Sequence, residues 1–337
     1  MLNKLINLAK LHSSPESAFL MGFIYAIIGI LVAFFLFPSY IGIVSVFFTS
    51  MALMPVISRL IEELALREGR EKQVKEGNIT LTELQLRGKK ISVKGLWLDH
   101  KHLIQVYLYS FFGAFMLFAL MIFILPQENG NYDGLMKITI TKGNQEILVS
   151  DHYVFGEQFE AYERISGSTG DAVGATEVMG KAADSCFLGD CEKLDFFVGI
   201  IKNNLWVLIV TFLVSLIYGF GAMFIITWNA SVWGIVFANR SIELAPLAGK
   251  NPIVFFGLLL LTVLPHTALE ALTYFAAAMS GGIASQGIAK EEFESERFER
   301  ILIQAFILML LSLLLLVLAA FTETYVINAI DEMIPKY

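Results

Sequence analysis

The stretch PIVFFGLLLLTVLPHTALEALTYFAAAMSGGIASQ, Pro252–Gln286, decides how the chain is built. It contains no lysine, arginine or aspartate, and Glu270 is its one carboxylate. Roughly 20 mostly apolar residues suffice for a helix to cross hydrocarbon, and this run is far longer. Pro265 removes a backbone donor from it, and Gly281-Gly282 weakens it further along. The pattern predicts a membrane segment that is broken or re-entrant. Such a segment survives only where neighbouring protein or a cavity satisfies the freed backbone groups.

The same character recurs along the chain. Ala18–Phe37, Leu103–Leu125, Leu205–Ile226 and Ile301–Phe321 each read as a span, and Ile41–Ile57 reads as the return arm of a hairpin with the first. Ala230–Ala238 is apolar for too short a distance to cross alone, which predicts a second broken segment. Over all 337 residues, 56% are hydrophobic and 16% charged, with a mean hydropathy of +0.66. A soluble domain carries about a quarter charged residues. The fold class is therefore an all-α polytopic membrane protein of six to seven transmembrane or re-entrant helices, with broken helices in the C-terminal half.

Five segments follow. Residues 1–57 hold an amphipathic stretch and the transmembrane hairpin. Residues 58–102 are a helix and a basic segment, 103–126 a single span, 127–200 an acidic loop or small domain, and 201–337 the C-terminal bundle. Ser13 and Glu16 form a capping-box pattern with Pro15 in the first turn, so a helix should start there. No small-residue cleavage site follows the first apolar run, and the start does not read as a signal peptide.

Charge sets the orientation. Segment 58–102 carries ten basic residues, from Arg59 to Lys101, and Lys4 and Lys10 precede the first span. The positive-inside rule places the N-terminus and 58–102 in the cytoplasm and 127–200 outside a plasma membrane. The outer segment has 13 acidic against 5 basic residues, so the net charge of −7 reflects that one loop. Nothing in this balance suggests nucleic-acid binding. Within the loop, KITITKGNQEILVS alternates about a Gly-Asn turn and reads as a β-hairpin. The remainder reads as polar, with GSTGDAVG as a flexible middle. Cys186 and Cys191 lie close enough in sequence for a disulfide on an oxidising side, with free thiols as the alternative. They lack the histidines of a zinc site, and no cofactor motif is present.

Ionisable groups inside spans are costly, from about 2.5 kcal/mol upward, and mark function by default. His266 and Glu270 stand one turn apart on one helical face. Glu323 follows the last greasy stretch, and Asn203, Asn204 and Asn229 add amides on neighbouring segments. Together they predict a polar intramembrane cluster. Three roles are open: a hydrogen-bonded lock between helices, a transport or proton path, or two ligands of a metal-dependent hydrolase. The last lacks the fuller HExxH-type set. The transport role draws on two consecutive broken segments of similar length, 203–239 and 251–289. Gly219, Gly221, Gly234, Gly281 and Gly282 favour close helix packing or hinges.

Three places in the second half resemble the stage II sporulation protein M family. They are NNLWVLIVTFLVSLIYGFGAMFIITWNASVWG from Asn203, LPHTALEAL around His266 and Glu270, and LAAFTETYVI around Glu323. They lie in the family's order over about residues 200–335. The family often has glycine after the histidine, where Thr267 stands here. The resemblance implies a multi-pass membrane protein that acts as a scaffold or transport-like component, since family members are associated with a cell-wall remodelling complex whose partner hydrolase does the chemistry. Many relatives occur in organisms that form no spores. The expectation is a non-enzymatic membrane protein without cofactor. Its partners would be the lipid bilayer, a second copy or a membrane-complex subunit, and a cell-envelope component met through 127–200.

Overall fold

The computed structural model describes residues 14, 16–71, 75–76, 79–80, 93–142, 145–174, 191–219, 221–293 and 295–333. Eight helices and two small hairpins appear among them. Helix α1 is Ser17–Leu36, α2 Ile41–Glu71, α3 Val93–Ile124, α4 Asp151–Gly174, α5 Cys191–Tyr218, α6 Ala222–Leu244, α7 Pro252–Lys290 and α8 Glu296–Met333. Strands β1 (Lys75–Glu76) and β2 (Ile79–Thr80) pair antiparallel, as do β3 (Thr139–Lys142) and β4 (Gln145–Leu148). Seven helices, all but α4, are long and apolar enough to cross a membrane.

The fold class is the one expected, and two internal details differ. Helix α7 runs unbroken from Pro252 to Lys290, through Pro265 and Gly281-Gly282. Its start follows local rules: the Asn251 side chain caps the Ile253 N–H at 2.9 Å, and Pro252 sits where no donor is needed. Pro265 costs one hydrogen bond, to the Leu261 carbonyl, at an exposed position, and α5 and α8 pack against the helix that carries it. Likewise Ala230–Ala238 is no half-helix; it is the middle of the full-length span α6. The break that does occur lies between α5 and α6, where Gly219 takes φ +63° and Gly221 precedes the new helix.

Packing divides the bundle into two groups. Helix α3 packs against α1 and α6, and α2 packs against α1; α7 packs against α8 and α5, and α6 joins the groups through α7. Small residues set the closest approaches. A Cβ on Gly22 would land on the Ser110 carbonyl, and one on Gly113 on the Phe19 carbonyl, so α1 and α3 meet backbone to backbone. Gly281 does the same against the Phe212 carbonyl of α5, and Gly234 against Phe115 of α3. Gly282 leaves more room, 3.7 Å from the Gly219 oxygen. Between the groups, Tyr107 and Phe111 of α3 meet Phe275 of α7, and Phe111 also meets Trp233 of α6.

The hairpin expected in KITITKGNQEILVS is present, with Lys142 opposite Gln145 and Thr139 opposite Leu148. Residues 151–174 form α4, which runs through the GSTGDAVG stretch expected to be flexible, with a kink at Phe155. The first helix starts at Ser17, and the Glu16 side chain makes no capping bond. Ser13, Pro15, the amphipathic start and the Cys186 side of the disulfide expectation lie outside the described residues, as do most of the basic run from Arg87 and the side chain of Cys191.

Candidate functional site: a polar knot between three spans

The costly residues of α5, α7 and α8 converge. Asn204 and Glu270 each stand near the midpoint of their helices, and both are buried at 6% exposure. The Asn204 amide donates to Glu270 Oε1 at 2.6 Å. In return Asn204 Oδ1 accepts from the Tyr274 hydroxyl at 3.0 Å and from the Asn203 amide at 3.2 Å. The Glu323 carboxyl of α8 lies beside the Glu270 carboxyl. One hydrogen-bonded network therefore ties α5 to α7, with Glu323 of α8 set against it.

Local sequence explains which side chains can join. Glu270 and Tyr274 are four residues apart on α7 and share a face. Asn204 reaches them because Gly281 lets α5 lie close against the lower part of α7. In hydrocarbon an amide or carboxyl without a partner is costly, so each member holds the others in place. Bonds of this kind between membrane helices are worth about 0.6 kcal/mol on average and up to about 2 kcal/mol. Tyr274 was not among the residues read from the sequence. The signal was there, a tyrosine hydroxyl one turn past Glu270 in ALEALTYF.

Two expected members stand apart. His266 is buried at 6% exposure, but its Nδ1 has no hydrogen-bond partner, and Glu270 turns to α5 and α8 instead of pairing with it. The one-turn spacing permitted a His–Glu contact; the amide and carboxyl across the helix seams displaced it. Asn229 belongs to α6 and donates at 2.8 Å to the Ile225 carbonyl of its own helix. Among the described residues no three His, Cys, Asp or Glu stand together as a metal site.

A second polar seat lies at the far end of α6. Arg240 donates to Glu243 at 3.1 Å and to the Tyr162 hydroxyl of α4 at 3.3 Å, with its guanidinium 5.8 Å from the Tyr162 ring centre. Asn239 accepts from Gln127 at 2.7 Å, tying α6 to the end of α3. His152 lies flat on Phe159, ring centres 4.2 Å apart, and the Asp151 carboxylate receives the Glu128 and His152 backbone N–H groups. A cavity of about 260 Å³ opens between these α4 and α6 side chains. The half-buried Glu157 on α4 has its carboxyl pushed above the usual range by burial. These contacts dock α4 on the bundle.

A family model for stage II sporulation protein M matches residues 109–327. The match begins within α3, takes in the hairpin and α4, and ends just past Glu323. It leaves α1 and α2 outside. No curated protein and no solved structure matches the chain. With a match over most of its length that includes the whole three-helix knot, the chain belongs to the stage II sporulation protein M family.

Proposed function

We propose that this protein is a non-enzymatic scaffold of the plasma membrane, in which the Asn204–Glu270–Glu323–Tyr274 knot locks α5, α7 and α8 into one rigid wall. The observation that carries it is the cluster itself: Asn204 of α5 is bonded to both Glu270 and Tyr274 of α7, and the Glu323 carboxyl of α8 lies beside Glu270. A catalytic group would be aimed at a substrate; these are consumed by their neighbours. Transport through paired broken helices loses its premise, because α7 is continuous. The basic residues before α3 support the N-terminus and 58–102 as cytoplasmic, with the hairpin and α4 outside. That outer face would meet a cell-envelope partner, and the lipid-facing spans a second copy or a complex subunit.

The test is thermal unfolding and particle size in detergent. Glu270→Ala and Asn204→Ala should each lower the unfolding temperature and broaden the oligomer distribution. Both left at wild-type stability and size would overturn the locking role. Cell-wall hydrolysis by the purified protein alone would overturn the non-enzymatic one.

A further inference from the structure

The polar side chains of the Arg240 seat fix one another in place and still keep bonding capacity. Glu243 is gripped at both oxygens: Oε1 accepts from the Asn239 amide at 2.9 Å, and Oε2 accepts from the Arg240 guanidinium at 3.1 Å. Asn239 is itself held, because its Oδ1 accepts from Gln127 Nε2 at 2.7 Å. Arg240 also donates to the Tyr162 hydroxyl at 3.3 Å, reaching from α6 to α4. These bonds use two of about five guanidinium N–H donors and two of about four carboxylate lone-pair sites, and a tyrosine hydroxyl that accepts can still donate. Tyr162, Asn239, Arg240 and Glu243 all line the cavity of about 260 Å³. Val236 gives it an apolar wall, and the stacked rings of His152 and Phe159 stand on its α4 side.

We propose that this cavity between α4 and α6 is a binding site for a single neutral sugar ring. Its volume falls just below the roughly 300 Å³ at which pockets for drug-sized ligands begin, so it suits one ring and not a chain of them. Each sugar hydroxyl both donates and accepts, and hydroxyls on adjacent ring carbons stand side by side. Glu243 takes the donated proton of one, while Arg240 and Tyr162 give to the oxygen of its neighbour. The apolar C–H face of the ring has the aromatic surface of Tyr162 and the His152–Phe159 stack to lie against. Charge argues against an ion. An anion would meet the carboxylates of Glu163 and Glu243, and a cation would meet the Arg240 guanidinium, all in one cavity. A neutral ring meets neither penalty. Because Glu243 and Arg240 are already held in position, binding orders little that is not ordered beforehand. The site is independent of the knot between α5 and α7, and an occupied site would add a bridge from α4 to α6.

Saturation-transfer NMR on the full chain, in a detergent without a sugar headgroup, tests the assignment. The probes are glucose, galactose and N-acetylglucosamine, set against glucuronate, choline and glycine betaine as anionic, cationic and zwitterionic competitors for the same space. At least one neutral sugar should give a saturable signal in the millimolar range. The same sugar should slow hydrogen exchange across residues 151–163 and leave that of α3 unchanged. Glu243→Gln, which keeps the size of the side chain but loses its charge, should weaken binding about tenfold, as expected for losing a hydrogen bond to an ionised group. Val236→Phe, which fills the cavity and touches none of the hydrogen bonds, should abolish it. Three results would overturn the proposal: no saturable signal from any of the three sugars, tighter binding of glucuronate, choline or glycine betaine, or sugar binding that survives Val236→Phe at wild-type strength. The wild-type panel decides even where a variant fails to fold.

Discussion

Asn204 is the hub of the knot because it alone has both donor and acceptor engaged across a helix seam. Truncating it to alanine strips the Tyr274 hydroxyl of its acceptor and Glu270 Oε1 of its donor at once. Leaving buried polar groups unpaired costs about 1–3 kcal/mol. Tyr274→Phe removes a single bond, and Asn203 still donates to Asn204 Oδ1, so the expected loss is near the membrane average of about 0.6 kcal/mol. Thermal unfolding of the two variants side by side checks the ranking; a Tyr274→Phe loss equal to that of Asn204→Ala would mean the hub is elsewhere. The sequence marked Asn204, Glu270 and Glu323 as costly, since charge and amide in an apolar run are visible without a structure. Their partners were not visible. Helical spacing predicts contacts within a helix, such as His266 with Glu270, and says nothing about how neighbouring helices are rotated. That rotation gave Glu270 to Asn204 and Glu323, and left His266 Nδ1 alone.

At the scale of elements, two contacts carry distinct predictions. The α1–α3 seam depends on Gly22 and Gly113, each with a carbonyl of the other helix where a side chain would go. Gly22→Leu should therefore pry the seam apart and yield aggregated protein on size exclusion. Gly257→Leu, a control in α7 with open space around its Cα, should run as wild type. The docking of α4 depends on Arg240, whose one guanidinium holds both Tyr162 and Glu243. Arg240→Ala should raise hydrogen exchange across residues 151–163 and leave the exchange of α3 unchanged. The β3–β4 hairpin was legible because alternation and a two-residue turn are local signals. Helix α4 was not: its glycines and serines read as loop, and its first half depends on Val154, Phe155 and Phe159, which are buried in the assembled protein. Helix α7 was misread for a related reason. Proline and paired glycines weaken a helix in isolation, but packing on both flanks outweighs those penalties.

For the whole molecule, seven spans and the cytoplasmic start proposed above would together determine every connection. On that proposal α1 and α2 would cross out and back, α3 would cross out, α5 return, α6 cross out, α7 return and α8 cross out again. The short link 245–251 between α6 and α7 must then lie outside, and 291–295 between α7 and α8 inside. Charge agrees with the second placement, since Lys290, Arg297 and Arg300 cluster about the inner turn. The sequence left this half of the topology open because α6 looked too short and α7 looked broken; both are long and apolar enough to cross, which lets the proposed orientation extend to this half. The prediction is checked by single cysteines in a background where Cys186 and Cys191 are serine. Leu135→Cys and Leu247→Cys, both at exposed positions, should react with a membrane-impermeant maleimide in intact cells, and Glu292→Cys only after permeabilisation. Labelling of Leu247→Cys only after permeabilisation would invert α6 and α7. It would also separate the Glu323 end of α8 from the outer side, where the seven-span order puts it. On the proposed orientation the Arg240 seat and α4 would share the outer face, which would present the docked helix and the hairpin together to the proposed cell-envelope partner.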